Sequence, residues 1–178
     1  MNITVKTTVA TLDVGSIIDK RGMTTLGNTV VALIRRRTGQ GVDADGDKFT
    51  PYSTRPIYIS RFRGTGARLK PKGGRPSRTG ASVYYQGGYA EYKSLSTGSN
   101  AVNLTLSGQL MRSIRVIKAS ARKAVVQTGG GAIRYARGVN ARRPFMGVPP
   151  DEMGVLEKVL DAEVKRTLRE AQEAQREQ

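Results

Sequence analysis

Asp43-Ala44-Asp45-Gly46-Asp47 places three carboxylates at alternate positions, the spacing with which a calcium loop begins. An EF-hand needs glycine at the sixth loop position and glutamate at the twelfth, and here Lys48 and Thr54 stand there. The run therefore reads as a tight acidic turn, with a weakly held divalent ion as the chemical alternative. A metal-dependent nuclease would gather carboxylates from several elements around its ions. The remaining acids lie mainly near the C-terminus, where Glu157, Asp161 and Glu163 read as a solvated helix face. Gly129-Gly130-Gly131 and Gly64-Thr65-Gly66 fit neither a Walker loop nor a dinucleotide fingerprint and read as turns. Cysteine and histidine are both absent, which removes disulfides, Cys/His zinc sites, thiol nucleophiles and histidine triads. No acid–base pair or activated nucleophile can be assembled. The sequence thus predicts a protein that is not an enzyme, with no catalytic residue, metal site or cofactor.

The chemistry that does stand out is electrostatic. Between Arg55 and Arg78 every charged residue is basic: Arg55, Arg61, Arg63, Arg68, Lys70, Lys72, Arg75 and Arg78. Tyr52, Tyr58, Tyr84, Tyr85, Tyr89 and Tyr92 flank and interleave this run. Such a segment can bind nucleic acid through phosphate contacts and stacking, or anchor itself in an acidic neighbouring subunit. Arginine suits both tasks, because its planar fork grips phosphate and carboxylate alike. The formal net charge is +16, from 30 Lys and Arg against 14 Asp and Glu. A charge of this size repels itself and implies a polyanionic or acidic neighbour.

Two kinds of element must carry these residues. Residues 2–9 alternate, with Ile3, Val5 and Val9 on one side, and predict a half-buried strand. Asp13 then caps a helix running to about Arg37, with Val14, Ile17, Ile18, Leu26, Val30, Leu33 and Ile34 largely on one face. Gly15, Gly22 and Gly27 oppose this helix at up to about 1 kcal/mol each relative to alanine. Arg35, Arg36 and Arg37 suit its negative end and Gly39 can close it. Regular periodicity fades between about 40 and 100, and this stretch is expected to be an extended basic arm inserted in a single 1–178 domain. Leu104 to Ile114 predict a short helical turn around Ser107–Met111. Residues 112–119 and 123–128 predict two strands joined by a Ser120–Arg122 turn, and Ala132–Arg137 a further short strand. Pro149 and Pro150 precede a last helix with the apolar stripe Met153, Leu156, Val159, Leu160, Val164 and Leu168, fraying over 169–178. The fold class expected is α+β: a small antiparallel or mixed sheet packed by an N-terminal and a C-terminal helix, with a long basic arm. The N-terminus does not read as a signal peptide, and no stretch approaches the roughly 18 apolar residues of a membrane span.

Three segments, in this order along the chain, resemble the phage virion morphogenesis family, the tail-completion or neck proteins of long-tailed bacteriophages. The first runs from Arg35-Arg36-Arg37-Thr38 through Gly41–Ser53, with Phe49-Thr50-Pro51-Tyr52 ending a turn. The second is Leu106-Ser107-Gly108-Gln109-Leu110-Met111-Arg112-Ser113-Ile114. The third is Arg142-Arg143-Pro144-Phe145-Met146-Gly147-Val148 and the helix opening with Asp151 and Glu152. Residues Arg55–Asn100 depart from the family pattern. The resemblance implies a structural virion protein made in the host cytoplasm that forms a homo-oligomeric ring. It would sit at the head–tail junction as a tail-completion, tail-terminator or neck subunit joining tail tube to head connector. The family suggests six-fold symmetry, with neighbouring neck, connector and tail-tube proteins as partners; the basic surface adds packaged DNA as a candidate contact, and the lack of an apolar span implies no membrane partner. Its motif positions here are Leu106, Ser107, Gly108, Leu110, Ser113, Ile114, Arg143, Pro144, Phe145 and Gly147. The residues expected to touch partners from the arm are Tyr52, Tyr58, Arg61, Arg63, Arg68, Tyr84, Tyr85, Tyr89 and Tyr92. Of Phe145 the residue-level expectation is that it packs on the sheet. The rival readings are a ribosomal-type nucleic-acid-binding module and, third, a metal-dependent nuclease using Asp43, Asp45 and Asp47.

Overall fold

The computed structural model describes residues 2–6, 9–13, 18–61 and 72–177. In chain order the elements are β1 (Asn2–Lys6), β2 (Val9–Asp13), α1 (Lys20–Gly39), β3 (Ile57–Ser60), β4 (Arg75–Pro76), β5 (Ser82–Tyr85), α2 (Gly88–Thr97), α3 (Gln109–Ser113), β6 (Ile114–Ala119), β7 (Lys123–Thr128), α4 (Ile133–Arg142) and α5 (Pro150–Arg176), with a 3-10 turn at Gly130–Ala132. The fold is mixed α and β, with two small antiparallel sheets and helices towards both ends of the chain. It divides into two compact units, residues 1–49 with 103–178, and residues 50–102. This differs from the extended arm expected over 40–100: the described part of 50–102 folds on a core of its own.

The larger unit contains a sheet of order β1-β2-β7-β6. The strand expected at 2–9 is a hairpin of two, in which Lys6 pairs with Val9 and Asn2 with Asp13. Because β2 extends to Asp13, the cap of α1 falls on Asp19 instead: its Oδ1 accepts the Gly22 N–H at 2.7 Å. Residues 14–17 of the expected helix face lie outside the described residues. From Met23 to Ile34 the apolar stripe of α1 is buried, and the helix packs on β6, β7 and α5. Its glycines follow from that position. A Cβ on Gly27 would stand 2.8 Å from a Val116 methyl, so the helix interior gives up propensity for a close approach to the sheet.

β6 and β7 pair as the alternation predicts, with a bulge between Val116 and Lys118 that leaves Ile117 49% exposed on the edge strand. β6 begins at Ile114 because residues 109–113 close a helical turn first. The strand expected at 132–137 is helical. Ala132, Ala136 and Asn140 recur every four residues along its covered side, and Ala and Arg favour α4 over a strand. α5 begins at Pro150 with Asp151 and Glu152 in its first turn, as expected. It does not fray at 169 but stays helical to Arg176, although Leu168 is 58% exposed and residues 169–177 are all exposed. Arg166 bridges Glu163 and Glu170 at 2.8 Å each, i,i+3 and i,i+4 pairs that hold the helix where no core does.

Arg166 also reaches Asp19 Oδ1 at 2.7 Å. The Gly22 N–H and then this guanidinium hold the Asp19 carboxyl below its ordinary value of 3.8. A depressed carboxylate contributes stability that is complete above the ordinary value and fades as pH falls through the lowered one. Asp19→Asn keeps a cap acceptor but not the charge, so the variant should lose that part of the acid-side decline. Urea midpoints followed from about pH 5 to pH 2 check this; parallel curves for both proteins would reject it.

The smaller unit is a sheet of order β3-β5-β4, with α2 packed on β5. Its core is Val83, Tyr85 and Tyr92. No described helix is long and apolar enough to cross a membrane.

Candidate functional site

The three arginines at the end of α1 were expected to complement the helix dipole, and two of them do more. Arg35 donates from Nε to the Met111 carbonyl at 2.9 Å and from a terminal nitrogen to the Ile114 carbonyl at 2.8 Å. It thereby holds the junction of α3 and β6. Within that second segment, Leu110 and Ile114 are buried and Leu106 is half-buried. Gly108 caps α3 in the left-handed region, with φ +72. The Ser113 hydroxyl donates to the Leu110 carbonyl at 2.7 Å, and exposed Ser107 takes the Gln109 N–H at 3.4 Å.

Arg37 turns the other way. It is 3% exposed and donates to Glu152, to the Phe145 carbonyl at 3.1 Å and to the Gly147 carbonyl at 2.9 Å. Glu152 is 4% exposed, and Arg36 lies 3.7 Å from its second oxygen. Phe145 and Met146 are buried, and their N–H groups both donate to Asn140 Oδ1, at 2.9 and 3.0 Å. The Pro144 carbonyl accepts from Ala44 at 2.9 Å. Arg143 is half-buried, and Arg142 is exposed. Phe145 is therefore a buried side chain. The acidic run is a turn: Asp43 Oδ1 accepts the N–H groups of Asp45 and Asp47, both at 2.9 Å, and Val42 bridges Lys48. The three segments that carry the resemblance, spread from Arg35 to Glu152, meet around Arg35 and Arg37. Neither role was legible, because a sequence gives charge but not burial.

The tyrosines of the smaller unit divide into two groups. Tyr52, Tyr89, Tyr92 and Tyr85 form a chain of ring contacts with centroids 5.2, 5.7 and 5.3 Å apart, and they pack the unit itself. The Tyr85 hydroxyl donates to the Lys72 carbonyl at 3.0 Å, and burial pushes its pKa up. Lys93 is buried beneath Tyr52, 5.3 Å from the ring centroid, and donates to the Ala101 carbonyl at 3.0 Å; burial lowers its pKa. Of these four, Tyr85 and Tyr92 are buried and Tyr52 and Tyr89 half-buried, so part of the aromatic surface expected to face partners fills the unit's own core. Tyr58 and Tyr84 stand apart, 5.0 Å from each other, and Tyr58 is 63% exposed. Arg61 is half-buried, and its N–H donates to the Ala81 carbonyl at 2.9 Å. Arg63 and Arg68 lie outside the described residues.

One charge signal extends well past Arg55–Arg78. From Lys48 to Pro150 the chain carries 19 of its 30 basic residues and one acid, Glu91. The other 13 acids lie outside this span, so the cations of the middle have almost no carboxylate of their own. A count of acids along the chain reveals this without a structure.

Comparison with protein-family models, with curated proteins and with solved structures gives no match.

Proposed function

We propose that the chain is a structural subunit of the head–tail joining region of a tailed phage, a tail-completion, terminator or neck protein that assembles into a ring and catalyses no reaction. The observation that carries this reading is the convergence just described. Segments resembling one family, spread from Arg35 to Glu152, are held together by the two arginines at the end of α1. Segments that act as one unit are expected to meet in the fold, and these do. The charge of residues 48–150, 19 basic residues to one acidic, adds a second support, since a subunit of this charge calls for acidic neighbours or DNA beside it.

A closed ring requires a head-to-tail interface between copies. Electron microscopy and mass photometry of the purified full chain should give closed rings of one subunit number, and the same chain should be found in purified virions. A strictly monomeric protein that is missing from particles overturns the proposal. The charge of the middle segment also favours a second reading, a basic nucleic-acid-binding module. That module would bind DNA or RNA with affinity falling steeply between low and physiological salt and would form no ring.

A further inference from the structure

β5 is the central strand of the smaller unit, and its side chains alternate in burial. Val83 and Tyr85 are buried on the side where Tyr85 meets Tyr92 of α2. Tyr84 points the other way. The register sets Tyr58 of β3 opposite it on one side and Arg75 of β4 opposite it on the other. Tyr58, Tyr84 and Arg75 thus form one row across all three strands, on the face away from α2. In the neighbouring row of that face stand Ser60 and Ser82, whose side chains are small.

Tyr58 is 63% exposed beside a half-buried Tyr84, and aromatic surface this open to water needs a reason, because large aromatic surface is ordinarily buried. Residues 50–102 supply a second observation: nine basic residues, of which only Lys93 is buried among the described residues, against one acidic, a formal charge of +8. The single carboxylate, on Glu91, accepts the Gly87 N–H of its own helix start at 2.7 Å. The partner must therefore bring negative charge together with flat apolar faces. A peptide of acidic residues alone brings the charge without the faces, and duplex DNA keeps its base faces inside the stack. Single-stranded nucleic acid has both, with unstacked bases for the rings and phosphates for the cations. We infer that the Tyr58–Tyr84–Arg75 row is a stacking platform for single-stranded DNA or RNA. This inference does not depend on ring formation.

The test uses the full chain and a labelled oligothymidine of about 20 nucleotides, with a duplex and poly-glutamate as competitors. The single strand should bind more tightly than the duplex. Tyr58→Ala, which changes no charge, should weaken it roughly 5- to 140-fold, and Tyr58→Phe should restore it. Ultraviolet crosslinking of the unaltered protein should mark the peptides carrying Tyr58 or Tyr84. Preference for poly-glutamate identifies an acidic protein partner and overturns the inference. So do preference for duplex, indifference to Tyr58→Ala, or crosslinks found only elsewhere. Microscopy of the same samples reads ring formation separately, so the two proposals stand or fall apart.

Discussion

Glu152→Ala is expected to cost the larger unit about 3–5 kcal/mol, because it strands the Arg37 guanidinium in the interior. Arg37 would keep its bonds to the Phe145 and Gly147 carbonyls, but neutral acceptors do not balance a desolvated charge. Arg36 offers no replacement, since its side chain is 61% exposed and it is itself a cation. The loss of an acid from the first turn of α5 adds a further 0.3–1 kcal/mol or so. Glu152→Gln, which retains an acceptor, should fall between. Replacing both residues by apolar ones of similar volume, Arg37→Met with Glu152→Leu, should cost much less than the single change. Urea unfolding reads all three, with a lower midpoint at an unchanged slope. A loss below about 1 kcal/mol for Glu152→Ala would mean the pair is not the buried charge couple described above.

Gly88→Ala should be the most damaging small substitution in the other unit. Gly88 has φ +68, and a Cβ there would lie 2.4 Å from the Arg55 carbonyl oxygen and 2.6 Å from that of Ser53. Those atoms belong to backbone that also accepts the Ala90 N–H at 3.1 Å, so they cannot swing aside as a side chain would. Left-handed strain and displaced backbone together come to roughly 2–5 kcal/mol. A unit of about 50 residues has little stability to lose. Hydrogen exchange should therefore show lost protection across β5 and α2, with β6 and β7 unchanged. Equal loss in both units would mean that they unfold as one, and unaltered protection in α2 would contradict the packing itself.

How legible all this was depended on element length. α1 and α5 have 20 and 27 residues, long enough for an apolar stripe to declare itself. The β6–β7 hairpin was marked by alternation and a polar turn. The described elements of the smaller unit are strands of 4, 2 and 4 residues and a helix of 10, at or below the shortest runs in which periodicity can be read. What looked like an arm was therefore a set of short elements. Val83-Tyr84-Tyr85 did contain the clue that separates an outward tyrosine from an inward one, the period of two, but only once it is known to be a strand. The residues on which the proposed resemblance rests stood out together, yet the sequence did not tell their tasks apart: Phe145 and Ile114 fill the core, while Gly147 contributes a carbonyl.

The order of strands in the larger sheet has a consequence during synthesis. β2 hydrogen-bonds to β7, with Val9 opposite Gln127, so the N-terminal hairpin waits for a strand 118 residues downstream. At about 5–20 residues per second, that is an interval of roughly 6–24 s on the ribosome. Meanwhile residues 50–102, whose contacts are local, are made and can collapse, shortening the loop that must later be closed. The nascent chain thus carries an unsealed strand edge and the bare apolar flank of α1 for seconds, a natural interval for a chaperone to occupy.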